Sequence, residues 1–289
     1  MSFEKKKAGI LAVLFLANLF AWAAVYDLSR VRELEVDFFD VGQGDSIFIE
    51  TPYRQQIVID GGPSSAILEK LGQKMPFWDR TIDLIILTHP EKDHLTGLLD
   101  VLKRYKVENI LWTGVVRDTA EYKEWEKLIK EEGAKIFLTP LTPDVERRLT
   151  SGVELEILSP LDNLEGKILK DSNDTSIVAK LIFGRVSFLF TGDITKSVEK
   201  ELVDRGADID SDVLKAAHHG SKTSTSKEFV AAVSPEIAVI QAGRNNSYGH
   251  PRQETLDTLA EYGIKIFRTD IDGDIKIISN GTTYAVSNF

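Results

Sequence analysis

The chain holds only five histidines, and each sits in a short run with other groups able to bind a metal or move a proton. His89-Pro90-Glu91-Lys92-Asp93-His94 packs four potential ligands into six residues. Ala217-His218-His219-Gly220-Ser221 carries a histidine doublet, and Tyr248-Gly249-His250-Pro251 the fifth imidazole. Imidazole titrates near neutrality and is a common metal ligand, so histidines concentrated in this way point to coordination or proton transfer. Carboxylates crowded into one loop repel one another unless a cation offsets them. A polar surface loop is the plainer alternative for residues 89–94, but a continuous apolar run leads straight into it. The chain has no cysteine, which rules out disulfides and thiolate sites. Any metal must be held by nitrogen and oxygen, which suits zinc, manganese, iron or magnesium.

The elements expected from periodicity place these groups at strand ends. Apolar and alternating runs predict strands over 34–39, 45–50, 55–60, 83–88, 109–112 and 135–138. A second batch covers 175–183, 186–190, 213–217, 236–241, 274–278 and 283–286. Helices are expected over 64–72, 96–105, 119–132, 195–205 and 226–233, with another starting at Pro251. Pro140, Pro143, Pro160 and Gly166 mark loops, and residues 27–32 read as a connector. Every candidate ligand then falls just past a strand and none lies mid-helix, the usual place for a site in an open α/β sheet. Two batches of strands mixed with helices imply an α/β fold of two sheets packed face to face with helices outside.

The net charge of −10 does not advertise a nucleic-acid binder, although bound cations would neutralise part of it. The N-terminus carries a separate message. Lys5-Lys6-Lys7 precede a run of 19 uncharged residues, Ala8 to Tyr26. As a helix this run is about 28 Å long, close to a hydrocarbon core. The expectation is a single-pass membrane helix in an anchor segment, residues 1–28, with the lysines cytoplasmic and residues 33–289 outside the cell membrane. Trp22 and Tyr26 suit an interfacial belt. A cleaved signal ending near Ala21-Trp22-Ala23, which would make the protein secreted, is the alternative.

The ordered motifs resemble those of metallo-β-lactamase-fold hydrolases, and within them the ComEC-type competence hydrolase domain. The matching pieces are Phe39-Asp40-Val41-Gly42-Gln43-Gly44-Asp45-Ser46, Ile59-Asp60-Gly61-Gly62 and His89 to Gly97. They continue with Asn173-Asp174-Thr175-Ser176, Leu189-Phe190-Thr191-Gly192-Asp193, Val213 to Ser221 and Tyr248 to Pro251. The resemblance covers about residues 33–289 and implies a four-layer αββα sandwich. It further implies two divalent metal ions, Mn²⁺ or Zn²⁺ with Mg²⁺ compatible. His89 and Glu91 would hold the first, Asp93 and His94 the second, with Asp193 bridging and His218 completing a shell. His219 is an alternative ligand or supporting partner, and Asp60 a supporting acid. The chain departs from the common His-x-His-x-Asp-His pattern at Glu91, which makes the first position more oxygen-rich. The histidine that many relatives supply between this loop and the Gly-Asp is absent, and Asn173 and Asp174 stand near its place.

The chemistry implied is attack by an activated water on a phosphodiester. Asp93 would orient the nucleophile or shuttle its proton. His250 would protonate the leaving oxygen or hold a phosphate oxygen, or else simply cap the helix after it. Ser221, Lys222 and residues 223–226 either donate to a phosphate or form a solvated helix entry. Gln43 and Asp45 lie in a turn expected beside the substrate. The leading expectation is an outward-facing, DNA-degrading nuclease linked to DNA uptake, cooperating with a separate channel protein. A phosphodiesterase for a cell-wall or small-molecule phosphoester is the alternative, and a non-catalytic binding domain ranks last.

Overall fold

The uncharged run after the lysines is helical: α1 spans Phe3–Ser29. Its large side chains, from Ile10 and Leu11 to Phe20 and Trp22, are exposed around the whole helix. Among the described residues, no helix is long and apolar enough to cross a membrane. The computed structural model describes residues 3–29, 33–169 and 171–288. The side chains of Ala23, Ala24 and Tyr26, which belong to the expected span, lie outside what is described, as do residues 30–32 of the expected connector. Residues 27–29 of that connector are helical instead. The chain divides into two compact units, Met1–Arg32 and Glu33–Phe289.

The second unit begins with β1 (Leu34–Phe38), β2 (Ile47–Glu50), β3 (Gln56–Ile59), α2 (Ala66–Lys74), β4 (Thr81–Ile86) and α3 (Lys92–Leu102). Next come β5 (Lys106–Trp112), α4 (Ala120–Glu132), β6 (Lys135–Leu138), α5 (Pro143–Leu149) and β7 (Glu154–Ser159). The hairpin β8 (Val178–Phe183) and β9 (Val186–Phe190) leads to α6 (Lys196–Asp204), β10 (Val213–Lys215), α7 (Lys227–Val233) and β11 (Ile237–Ile240). The unit ends with α8 (Gln253–Glu261), β12 (Lys265–Arg268), α9 (Thr269–Asp272), β13 (Ile275–Ser279) and β14 (Tyr284–Asn288).

Eight strands form one sheet in the order β14-β13-β1-β2-β3-β4-β5-β6, and six form the other in the order β12-β11-β10-β9-β8-β7. The layers follow from side-chain alternation. Leu34, Val36, Phe38, Ile47, Ile49, Ile57 and Ile59 face Leu181, Phe188, Phe190, Val213 and Val239 in a core between the sheets. The opposite face of the first sheet, with Phe48, Val58 and Ile85, packs on Ile67, Leu98 and Trp125 of α2, α3 and α4. The second sheet is backed by Val198, Leu202 and Phe229 of α6 and α7, and by Leu259 of α8. The result is the expected α/β arrangement of two sheets between helical layers. Four elements lie where only loops were expected. α5 begins at Pro143, β7 has the alternating Glu154-Leu155-Glu156-Ile157 pattern, β12 is a short edge strand, and α9 is a single turn directly after it.

One boundary bears on the site. α3 begins at Lys92, four residues before the expected start, so Asp93 and His94 lie in its first turn instead of a loop. The amides of His94 and Leu95 donate to the Glu91 carbonyl, and Asp93 sits where the helix dipole favours an anion. The helix is pressed against the turn that ends β3. The Gly61 amide donates to the His94 carbonyl at 2.7 Å, and the Gly97 amide to the Gly62 carbonyl at 3.0 Å. A Cβ at Gly97 would lie 1.9 Å from the Gly61 carbonyl oxygen, so only glycine permits this approach. Gly97→Ala is expected to cost about 1–3 kcal/mol or more through this overpacking. The loss would appear as a lower denaturant midpoint, and an unchanged midpoint would show that the helix can shift freely.

Candidate metal centre

Asp60 follows β3 with its backbone in the left-handed region, at φ 57°, which turns its buried carboxylate inward. Its Oδ1 accepts the Thr88 amide at 2.8 Å and its Oδ2 the Thr88 hydroxyl at 2.6 Å. The same Oδ2 is 2.8 Å from His94 Nδ1. That contact fixes the ring and aims Nε2 away from Asp60, the usual way a carboxylate orients a metal-binding imidazole. His89 is oriented by neutral partners: its Nδ1 is 3.0 Å from Thr88 Oγ1 and 3.2 Å from Ser176 Oγ. The Nε2 atoms of both His89 and His94 are buried and have no hydrogen-bond partner.

The other sheet supplies the facing half. Asp193 follows β9, and its amide donates to Ser176 Oγ at 3.0 Å. Its Oδ2 lies 3.3 Å from both His94 Nε2 and His219 Nε2. His219 Nε2 is also 3.3 Å from Asp93 Oδ2, while its Nδ1 is 3.0 Å from the Gln241 carbonyl oxygen. His218 and His219 are both left-handed, at φ 51° and 53°. Such residues cost about 1–3 kcal/mol each and persist where the surroundings enforce them. The turn sends His219 inward and leaves His218 a quarter exposed at the rim, its Nε2 3.9 Å from Asp193. Donor atoms of Asp93, His94, Asp193 and His219 therefore lie within 4.8 Å of one another, a spacing one divalent cation can span. His219, not His218, joins this set.

Behind it lies a fixed cation. Lys215, buried in β10, pairs with Asp45, donates to the Gly192 carbonyl at 2.9 Å and stands 3.6 Å from Asp193 Oδ1. Burial alone would lower the lysine, but Asp45 and Asp193 outweigh it and raise its pKa. Burial would likewise raise Asp193, yet His219 and His94 hold it well below the usual carboxylate range. Both imidazoles are pushed well above theirs: burial opposes this, and Asp193 outweighs it, aided by Asp60 at His94 and by Asp45 at His219. His89 goes the other way, down to about 3, through burial and its neighbour His94. In this form the cluster balances its carboxylates with protons on His94 and His219.

The remaining candidates are placed as follows. An open pocket of about 590 Å³ lies over the cluster, lined by Gln43, Glu91, Asp93, Asp171, Asn173, Asp193, His218, His219, Tyr248 and His250. Glu91 is at its edge, its Oε1 2.7 Å from Arg117 Nη2 and hydrogen-bonded by the Ser172 hydroxyl. His250 faces the pocket with Tyr248 stacked on it at 5.9 Å, and burial and nearby imidazoles lower it to about 4. It is thus neutral at neutral pH, which suits holding an oxygen better than delivering a proton. Gln43 reaches the pocket while its Oε1 accepts the Gly243 amide. Asp45, expected at the substrate, is instead buried against Lys215 and His219. Asp174 accepts the Thr195 amide ahead of α6. Ser221 is buried and bonded to Thr223, and Lys222 is exposed; neither lines the pocket.

Four participants escape a sequence reading of the site: Thr88, Arg117, Ser176 and Lys215. Lys215 has a legible signal, a lone lysine in the apolar run Val213-Leu214-Lys215-Ala216-Ala217. Arg117 has none beyond following a strand adjacent to β4.

The orphaned nitrogens and the tight donor set fit a divalent cation. Since ligand imidazoles must be deprotonated, metal binding should release about two protons, from His94 and His219, at pH values below their raised pKa. Affinity should therefore fall as pH falls. Calorimetric titration in buffers of different ionisation enthalpy measures the release, and a value near zero would contradict the protonated cluster. In the same titration, Asp193→Asn should lower affinity by at least about 10-fold.

The sequence profile of the Metallo-beta-lactamase superfamily matches residues 39–244. The chain is 35% identical over 265 residues to ComE operon protein 3 of Bacillus subtilis, covering 84% of this chain and 33% of that protein. It is 30% identical over 266 residues to Competence protein ComA of Neisseria gonorrhoeae, covering 92% of this chain and 35% of that protein. The chain thus spans about a third of the length of these relatives. Among solved structures, the metallo hydrolase Igni18 of Ignicoccus hospitalis superposes with a TM-score of 0.53 at 14% identity, over 89% of this chain and 99% of its own, a likeness of fold. With the donor set and the two-sheet architecture, these matches establish that the chain belongs to the metallo-β-lactamase superfamily, in which it is similar to the corresponding third of ComEC-type competence proteins.

Proposed function

We propose that the chain is a divalent-metal-dependent phosphodiesterase that degrades DNA in connection with its uptake. The observation that carries this reading is the convergence of Asp93, His94, Asp193 and His219 at the floor of an open pocket, with His250 on its wall. A cation held there would polarise the phosphoryl group and acidify a water. The chain's own groups do the rest. Asp60 at His94, and the Gln241 carbonyl at His219, keep both imidazoles aimed at the pocket. Asp93, a third exposed, orients the attacking water through its carboxylate. Neutral His250 donates a hydrogen bond to a non-bridging phosphate oxygen, and His218 at the rim takes the neighbouring one.

One observation favours a smaller substrate. Among the described residues, the pocket lining includes no lysine or arginine, while Glu91, Asp93, Asp171 and Asp193 all face it. An acidic wall opposes a polyanion, so a cell-wall or small-molecule phosphoester is the second reading. Among the described residues no helix is long and apolar enough to cross a membrane, but three side chains of the uncharged run lie outside them. For location, we propose from the sequence that residues 8–26 anchor the chain in the cell membrane with residues 33–289 outside it, where a separate channel protein would take up the surviving strand. The exposure of the described apolar side chains from Ile10 to Trp22 and the lysines before them support this.

The full chain in detergent, stripped of metal and resupplied with Mn²⁺, Mg²⁺ or Zn²⁺, is expected to cleave linear DNA. The rate should fall as salt rises, because phosphate contacts release counterions. Turnover of bis(p-nitrophenyl) phosphate alone, flat with salt, would replace DNA by a small diester. His250→Ala is expected to lower kcat by about 10²–10³-fold, the usual loss of one transition-state donor. Chain recovered from cells should resist alkaline extraction from membranes, and a mature start near Ala24 would establish a cleaved signal instead.

A further inference from the structure

The donors do not divide evenly between two cation positions. Around His94 they are crowded. On the side of His89, whose Nε2 is buried and unpartnered, the Glu91 carboxylate is already engaged. Glu91 gives its Oε1 to Arg117 Nη2 at 2.7 Å and to the Ser172 hydroxyl. Arg117 is itself held, its Nη1 donating to the Leu169 carbonyl at 3.0 Å, and its side chain is only 20% exposed. Asp174 is engaged with the Thr195 amide, and Asn173 brings no charge. Among the described residues, no group of three or more carboxylate or imidazole donors within mutual reach includes His89.

From this we infer that the chain holds one divalent cation tightly, at Asp93, His94, Asp193 and His219, and that the Arg117–Glu91 pair keeps a second cation from settling beside His89. A guanidinium never gives up its charge, and a partly buried ion pair is screened little by solvent. Filling the second position would require breaking that pair and bringing a dication up to the freed guanidinium. Arg117 thus supplies a permanent positive charge on the side of the site where relatives of the common motif place a metal. The inference rests on the metal-centre reading above and narrows its two expected cations to one.

The test is metal stoichiometry of the full chain, with Mn²⁺ added to metal-depleted protein and followed by elemental analysis and electron paramagnetic resonance. One tight equivalent with an uncoupled single-ion spectrum is expected. Glu91→Gln should keep that equivalent, since Glu91 is not its ligand. Arg117→Gln, if its circular dichroism matches the parent, should take up a second equivalent and show exchange coupling between the two ions. Two tight equivalents in the parent would overturn the inference while leaving the metal centre intact. Loss of the single equivalent in Glu91→Gln, or an Arg117→Gln chain that still binds one, would overturn it as well. A parent that binds no Mn²⁺ would overturn the metal centre itself, and the inference with it.

Discussion

The carboxylate of Asp60 joins three pieces of chain at one point, and the site depends on that junction. It takes both donors of Thr88 at the end of β4 and the Nδ1 of His94 in the first turn of α3, while its own backbone is bent into the left-handed region. Because every contact is buried, none can be exchanged for water without leaving a polar group unpaired. The bare approach of α3 to Gly61 then follows, since the helix must come close for His94 to reach Asp60. From there the chain of contacts runs through Asp193 and His219 to the second sheet, so the junction at Asp60 links the two halves of the sandwich at the site.

Such a junction gathers negative charge, and the fold answers it from several directions. Asp45, Asp60, Asp93 and Asp193 share one small volume with a single lysine. Coulomb repulsion among them in a medium of low dielectric would be severe without compensation. Lys215 supplies part of it, and His94 and His219, both raised by the carboxylates around them, supply more. The left-handed pair His218–His219 belongs to the same solution, because it turns one imidazole into the charge cluster and keeps its neighbour at the pocket rim. Backbone strain there is traded for a position that a regular strand-to-helix connection would not reach.

The architecture is legible in the sequence wherever side-chain period and burial agree. The alternating and continuous apolar strands that line the central core can be read because their burial demands those patterns. β7 and β12 leave a weak signal because they are edge strands with partly exposed, charged residues, and α5 because Pro140 before it and Pro143 at its first position read as loop. At the site, residue types name the cluster, but direction is hidden. Nothing in the order His218-His219 says which ring points inward, and nothing in Asp45 says that it faces Lys215 and not the substrate. Glu91 shows the limit most clearly, since its orientation is decided by Arg117, a residue 26 positions away in a loop with no motif of its own.

Lys215 has one more consequence. Its charge is built into β10 and does not leave with the ion, and the fold of residues 33–289 has cores on both sides of each sheet that owe nothing to metal. Small zinc modules behave otherwise, folding only as the metal binds. Here the cation is a replaceable part fitted to a finished cavity. Which divalent ion would enter it is then a matter of the competition of ions for its nitrogen and oxygen donors after folding.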